Sequence, residues 1–337
     1  MLVIVHESLV PPETLDHCTT READEFRTEF DVVTRLRLNG HDVRPLGIGD
    51  SLGALRSVIH EWQPQVCFNL LEEFGGIVTY DQHVVAFLEL LRQHYTGCNP
   101  RGMMLSRHKV LCKQILAYHR IRTPHFAVFK RGHAIRIPAR LRYPLFVKSA
   151  TEDASLGIAQ ASVVDAALRL RERIEFIHEH TKSDALVEEF IEGRELYVGV
   201  LGNGRIRTLT PWELSFGELK NGSAAIATRR VKWDSAYQAR HRITTGAAVD
   251  VPAGLAGQLN RLTRRIYRAL HLSGYARMDF RVRADGTPFV LEANANPNLA
   301  EEEDFASAAR HDGIEYPALL ERIISLGRNY RAEWQQD

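Results

Sequence analysis

No run of apolar residues in this chain approaches the length of a membrane-spanning helix, and the short one in "MLVIVHE" is below that of a signal-peptide core. The four cysteines, Cys18, Cys67, Cys98 and Cys112, are scattered without C-x-x-C spacing, which argues against a zinc site or a disulfide framework. A reducing, cytoplasmic setting is the expectation that follows. Charge of one sign is also missing. The formal net charge is +1, so no field marks nucleic acid or an anionic membrane as a partner. No G-x-G-x-x-G follows the first apolar run, which sets aside a dinucleotide-binding dehydrogenase. Internal repeats and low-complexity segments are absent.

What is present is the composition of a globular protein, 45% hydrophobic and 25% charged, in 337 residues, a length suited to two or three domains. Short apolar runs alternate with helical patterns from the start. "LVIV", "HDVRPL" and "QVCFNLL" read as strands, with a helix over 25–38 that stops at "NG". That rhythm predicts a small parallel sheet covered by helices over the first hundred residues, closed by a turn-rich linker at "YTGCNPRG". A helix capped by Ser106 then runs to Tyr118. Strands follow at "IRTPHFAVF", "YPLFVKSA" and "DALVEEFIEG", with a helix over 163–180 between the last two. "ELYVGVLGNGRIRTLTPWEL" reads as a hairpin turning at Asn203-Gly204. Residues 217–249 are polar and read as a long loop or lid, and a helix over 253–272 comes after it.

The most informative stretch is "GYARMDFRVRADGTPFVLEANANPNL". A two-residue turn at Asp285 and Gly286 would pair 284 with 287, setting Asp279 opposite Glu292 and Arg277 opposite Asn294. Met278, Phe280 and Val282 then meet Ala293, Leu291 and Phe289 on the core face. Like charges directly opposed across a sheet repel, and a divalent cation removes the conflict. Oxygen donors from two carboxylates and an amide suit magnesium or manganese rather than zinc. The competing reading is a solvated strand face on which Arg277 neutralises one carboxylate.

Two lysines and three glutamates accompany this face. Lys148 ends an apolar strand and precedes the small-residue loop "SATEDASLG", whose backbone N–H groups suit phosphate oxygens. A lysine snorkelling from a strand end would look the same. Lys109 stands in the first turn of its helix, where a solvated side chain is the usual outcome. Glu188, Glu189 and Glu195 surround a strand end and suit an adenine amine or ribose hydroxyls, though solvent exposure would explain them equally.

Taken in order, "SRHKVLCKQIL", "YPLFVKSATEDASLGI", "LVEEFIEGRELYVGVLG" and the metal hairpin resemble the ATP-grasp superfamily, and within it the D-alanine–D-alanine ligases, over residues 68–326. The resemblance implies an N-terminal α/β domain with a parallel sheet (1–102), followed by the two α+β subdomains of an ATP-grasp fold (103–183 and 184–330), the second carrying the metal site and the lid. It implies ATP gripped by lysines matching Lys109 and Lys148, with adenine and ribose held by the segment of Glu188, Glu189, Phe190 and Ile191 and by Glu195. Magnesium or manganese is implied on Asp279, Glu292 and Asn294. Arg277 matches an arginine that contacts the transferred phosphate, and Lys232 in "RRVKWD" matches a lid contact to the γ-phosphate. The implied activity is an ATP-dependent ligase joining a carboxylate to an amine through an acyl phosphate, on small-molecule substrates, in a protein that resembles homodimers. A phosphotransferase acting on a hydroxyl and a nucleotide-binding regulatory module are the rival readings.

Several positions depart from that pattern. "HESLVPPET" stands where the ligases carry a glycine-serine motif with a substrate-binding glutamate, and "NLLEEFGG" lacks their His-Gly, so Glu72 and Glu73 become candidate contacts for a substrate amine. Ala154 replaces a hydroxyl residue, leaving Ser155 and the backbone to hold that end of the nucleotide. Trp233 replaces a lid tyrosine, and Asn298 replaces the glycine whose N–H serves the oxyanion hole. Glu301, Glu302, Glu303 and Asp304 stand near the position where the ligases bind the second D-alanine's carboxylate. They either fill a helix first turn, where acids favour the macrodipole, or meet a second substrate that is cationic or lacks a carboxylate. D-Alanyl-D-alanine is therefore a doubtful product.

Overall fold

The computed structural model describes residues 1–151, 158–218, 224–332 and 335. Three sheets organise these residues. The first is parallel, in the order β2 (Arg44–Ile48), β1 (Leu2–His6), β3 (Cys67–Asn69), with α1 (Thr20–Glu25), α2 (Arg27–Leu38) and α3 (Gly53–Trp62) in its connections and α4 (Asp81–Leu90) after β3. Every residue of "LVIV" is buried, as a strand covered on both faces requires. The helix expected over 25–38 is α2, whose Val32, Val33 and Leu36 pack on that sheet, and Gly40 beyond it takes a positive φ.

"YTGCNPRG" is less of a linker than its turn residues suggest. Asn99 caps α5 (Pro100–Arg107), accepting a hydrogen bond from the Gly102 N–H, and Pro100 occupies the first helical position. Ser106 is therefore inside a helix, its hydroxyl donating to the Gly102 and Met103 carbonyls. The following helix, α6 (Lys109–Tyr118), is capped instead by His108, whose Nδ1 accepts from the Leu111 N–H.

The second sheet is antiparallel, in the order β4 (Phe126–Phe129), β7 (Ala185–Glu189), β5 (Leu145–Ser149), β6 (Val163–Val164). It is covered by Leu170, Ile174 and Ile177 of α7 (Ala167–His180), a helix that begins four residues later than expected because 163 and 164 pair as a strand edge. Because β7 lies between β4 and β5, this sheet is completed by residues beyond position 183.

The third sheet is also antiparallel, in the order β11 (Thr244–Ala247), β10 (Trp212–Ser215), β8 (Arg194–Leu201), β12 (Tyr275–Val282), β13 (Pro288–Asn294), with β9 (Arg207–Thr208) paired to β8 as the hairpin through Asn203-Gly204. Met278, Phe280 and Val282 point into a core shared with Leu259 and Ile266 of α10 (Ala253–Ala269). The chain ends in α11 (Asp304–His311) and α12 (Tyr316–Asn329). The region 217–249 is not one long loop. Within its described residues Thr228 caps α8 (Arg229–Trp233), Asp234 caps α9 (Ser235–His241), and β11 follows.

Candidate active site

The metal hairpin has the expected pairing at its functional end for an unexpected reason. Arg277 faces Asn294, Met278 faces Ala293, and Asp279 faces Glu292, but beyond them Phe280 faces Val290 and Val282 faces Pro288. The turn holds three residues, 284 to 286. The Gly286 N–H donates to the Arg283 carbonyl, Gly286 takes φ +79°, and Asp285 accepts from the Thr287 N–H. A bulge between Val290 and Glu292 takes up the odd residue, so Leu291 leaves the core face assigned to it and joins Glu292 on the cleft wall.

The strand β8 lies on the other side of β12 and completes a polar face. Tyr197 pairs with Asp279, and Glu195 with Arg281. The Arg277 guanidinium donates to both oxygens of Asp279, at 2.8 and 2.9 Å, and lies 4.5 Å over the Tyr197 ring. Asp279 is buried, so the solvated-face reading fails, although its claim that Arg277 neutralises a carboxylate holds. Burial leaves the Asp279 carboxyl above its ordinary value despite Arg277, and Glu292 adds to that direction. Asn294 Oδ1 accepts from the Asn296 N–H, which leaves a lone pair on the same oxygen. Two opposed carboxylates and an amide oxygen are a hard-donor set that fits magnesium or manganese. No group of three or more His, Cys, Asp or Glu side chains is placed to hold a metal among the described residues.

The lysines converge on this face from α6 and from β5 of the second sheet. Lys109 and Lys148 are both buried rather than surface side chains. Lys148 Nζ is 3.3 Å from Glu188 Oε1, and Lys113, one turn after Lys109 on α6, is 3.0 Å from the same oxygen. Glu188 is 2% exposed. Burial pushes its carboxyl up, yet Lys113 and Lys148 together outweigh that and hold it ionised, below the ordinary range. Neither Lys113 Nζ nor Glu188 Oε1 makes a well-directed hydrogen bond, so their contact is ionic and leaves directional capacity unused. Glu188 thus holds two lysines at the cleft wall, contacts that the residue patterns did not point to. The i, i+4 spacing of Lys109 and Lys113 was the available sequence signal.

Arg281 is the other residue missed. It is buried between the Phe190 and Phe216 rings, 5.7 and 5.2 Å from their centroids, and donates to Glu195 Oε2 at 2.6 Å. Its remaining donors reach the carbonyls of Gly193 and Ala225. Tyr197 donates to the other Glu195 oxygen at 2.8 Å. Lys232 reaches the cleft from α8, which is anchored through Val231 in a small core with Tyr197, Leu214 and Ile243.

These groups line one cleft between the second and third sheets. It brings together Lys109, Lys148, Glu188, Glu189, Phe190, Ile191, Glu195, Lys232, Asp279 and Glu292. Phe146, Ile158, Ile226 and Leu291 supply apolar walls that the residue patterns did not single out. Arg277, Asn294 and Asn298 instead line an adjoining open groove, which shares Lys109, Lys232 and Glu292 with the cleft. Asn298 Oδ1 accepts from Thr28 Oγ1 and from the Ala300 N–H, so its side chain ties this loop to α2. Ser155 and Ala154 lie outside the described residues.

The acids at 301–304 do not fill a helix first turn together. Only Asp304 is inside α11, with Glu303 at the N-cap; Glu301 pairs with Arg35 and Glu302 with Arg310. Burial, with Asp304 adding to it, pushes the Glu303 carboxyl up to about 6.

Two antiparallel sheets closing on such a cleft form an ATP-grasp fold, and the family and relatives that this chain matches mark it as an ATP-dependent ligase. The solved D-alanine–D-alanine ligase of Bacillus anthracis, in a complex with ATP, superposes with a TM-score of 0.73 over 97% of this chain and 96% of its own, at 21% identity. A D-alanine–D-alanine ligase of Bordetella petrii is 31% identical over 245 residues, 71% of this chain and 69% of that protein. An uncharacterized protein of Sinorhizobium fredii, y4sG, is 32% identical over 259 residues, 77% of this chain and 73% of its own length. Residues 114–325 match the family described as "D-ala D-ala ligase C-terminus", and the chain belongs to that family. No helix among the described residues is long and apolar enough to cross a membrane.

Proposed function

We propose that the protein uses ATP to activate the carboxylate of an amino acid or peptide as an acyl phosphate, which an amine attacks, releasing ADP and phosphate. The observation that carries this reading is the convergence of Lys109, Lys148 and Lys232 on a cleft whose far wall is Asp279 facing Glu292. A carboxylate is a poor acylating agent because oxide is a poor leaving group, and phosphorylation supplies a better one. Little covalent chemistry is then asked of the protein, and positioning with charge neutralisation dominates. Lys109, Lys148 and Lys232 offset phosphate charge. Arg277, held flat by Asp279 and Tyr197, faces the groove where charge develops on the attacked carbonyl. Glu189, Phe190 and Ile191 hold the adenine, and Glu195 the ribose.

Asp279, Glu292 and Asn294 would hold magnesium or manganese, which when bound neutralises and aligns phosphate oxygens. Acyl phosphates hydrolyse readily, so α8 and the residues around Ile226 and Ala227 serve to exclude water. Three domains carry these parts: 1–102, a second from 103 that is completed by β7, and a third through 330 with the metal face and lid. D-Alanyl-D-alanine is not the product we favour, because Glu303 and Asp304 stand near the position at which the ligases this chain resembles bind a second carboxylate, and Asp304 lines the groove.

The test is a screen of acids and amines for magnesium-dependent release of ADP and phosphate. Phosphate release that needs both an acid and an amine supports the ligase. A stable phosphorylated product formed without phosphate release would replace it with the phosphotransferase.

A further inference from the structure

The backbone at Ala224 and Ala225 is held from both sides of the nucleotide cleft. Gln160, from the domain of the second sheet, grips Ala224 with its carboxamide. Its Nε2 donates to the Ala224 carbonyl at 3.0 Å, and its Oε1 accepts from the Ala224 N–H at 2.9 Å. Arg281, on β12 of the third sheet, donates to the Ala225 carbonyl while it holds Glu195 at 2.6 Å. Two adjacent residues of the lid are thus fastened to opposite walls.

The chain presents Gln160 rigidly. It opens a short 3-10 turn, Gln160–Ser162, that leads into β6. The Ala159 N–H donates to Ser162 Oγ at 3.1 Å, and the buried Arg173 donates to the same oxygen at 2.9 Å, so the turn is braced against α7. Gln160 itself is exposed and does not line the cleft. A carboxamide carries both a donor and an acceptor, which is what closing on one residue's N–H and C=O requires. Ordering an exposed glutamine this way costs rotamer freedom and gains no burial of its own. The consequence lies downstream. Ile226 and Ala227 line the cleft, Thr228 caps α8, Val231 is buried with Tyr197 and Leu214, and Lys232 lines the cleft again.

We propose that Gln160 and Arg281 are the two ends of a latch, positioning residues that hold the segment 224–227 shut across the cleft and so set how long the nucleotide stays bound. Both act through the backbone that carries Ile226, Ala227 and Lys232 rather than by touching phosphate. The proposal rests on the cleft holding ATP, and not on which acid and amine are joined. Such a latch makes two demands. Both ends must be fastened, since a segment released at either wall is no longer held across the cleft. Release must also speed the nucleotide's departure far more than it changes arrival, because entry takes place with the segment open.

The experiment follows a non-hydrolysable ATP analogue with magnesium on the full-length protein. Calorimetry gives the dissociation constant, and stopped-flow tryptophan fluorescence gives the two rate constants. Trp233, the last residue of α8 and 52% exposed, places a reporter on the latched segment. Gln160→Ala removes two hydrogen bonds between neutral groups, which predicts about ten-fold faster dissociation with association changed by less than about two-fold. Arg281→Lys keeps a cation beside Glu195 but loses the fork that also reaches Ala225, and dissociation should again quicken. Thermal melting shows each variant folded. In the double variant the effects should not multiply, because once one end is free the other holds nothing. Its dissociation should stay within about two-fold of the faster single variant. Unchanged dissociation in Gln160→Ala overturns the latch, since the substitution is at an exposed site outside the cleft. Effects that multiply reveal two independent contacts and overturn it as well. The ligase reading fails on a separate result, the absence of phosphate release that depends on an amine, so either can fall while the other stands.

Discussion

The nucleotide cleft and the substrate groove share Lys109, Lys232 and Glu292, yet they are built on opposite electrostatic plans. In the cleft every buried charge that the structure resolves in detail is answered: Glu188 by two lysines, Glu195 by Arg281, Asp279 by Arg277. In the groove Glu29 is buried, and no ion pair to it is found among the described residues. A preorganised cleft suits a ligand whose chemistry never varies, and pairing its charges beforehand lowers the cost of desolvating them. That difference sets a cleft whose charges are neutralised in advance against a groove that holds a carboxylate at the cost of its desolvation.

The largest test of the cleft's side is Glu292→Ala. Removing one of two opposed carboxylates should lower magnesium-dependent turnover by roughly 10³-fold, because the cation's hold on the phosphates is lost. Far-ultraviolet circular dichroism should be unchanged. Normal turnover in this variant would contradict the metal assignment of Asp279, Glu292 and Asn294.

The groove's side is tested next by Glu29→Gln. Burial raises the Glu29 carboxyl from 4.5 to about 8, so between those values the folded protein keeps a proton that the unfolded chain gives up. The folded state then binds more protons than the unfolded one, and wild-type stability falls as pH rises through that window. Glutamine does not titrate. The stability of Glu29→Gln relative to wild type should therefore grow by an amount of order 4 kcal/mol between pH 4.5 and pH 8. Urea unfolding at the two ends of the window measures it, and a difference independent of pH would mean that Glu29 is solvated.

Much of the cleft was legible because its signals are local. Strand alternation placed Arg277, Asp279, Glu292 and Asn294 on one face, and this parity tolerates shifts of two. The pairing itself came out right through two one-residue differences that cancel, a three-residue turn and a bulge at Leu291, and nothing in the alternating pattern distinguishes that solution from a plain two-residue hairpin. Asn99-Pro100, Thr228 and Asp234 were readable as helix starts, but turn-rich and polar surroundings obscured them. What no local pattern carries is the partner of a buried charge. Glu29 lies in a helix first turn like many solvated acids, and only packing of α2 against the loop at Asn298 buries it.

Arg281 belongs to that second kind, and Arg281→Met sharpens the comparison from the cleft's side. The substitution keeps apolar contact with Phe190 and Phe216 but leaves Glu195 buried without its cation. Breaking a buried pair from one side costs about 3 kcal/mol or more. Tyr197 still donates to Glu195, so the lower end is expected. KM for ATP should rise with kcat less affected, because the pair lines the cleft and ties the backbone at Ala225. A variant as stable as wild type would show that Glu195 is hydrated and that the cleft is not internally neutralised.

The smallest expected effect belongs to Lys113→Met, and the reason lies in shared charge. Glu188 has two lysines on one oxygen, at 3.0 and 3.3 Å, so losing Lys113 leaves the carboxylate with Lys148 and does not strand it. Burial draws the Lys113 ammonium below its ordinary value, with Glu188 opposing and Lys148 adding to that direction, so a thioether of similar length also removes a desolvated charge. These effects oppose each other, and a net loss of about 1–2 kcal/mol is expected in urea unfolding at pH 7. The kinetic consequence is more telling than the stability. With Lys113 gone, Glu188 draws Lys148 to itself and away from phosphate, so affinity for ATP should fall more than affinity for adenosine, by about three-fold or more. Equal losses for the two ligands would mean that Lys113 only fills space, and the triad would then be packing rather than a device that meters how much of Lys148 the nucleotide receives.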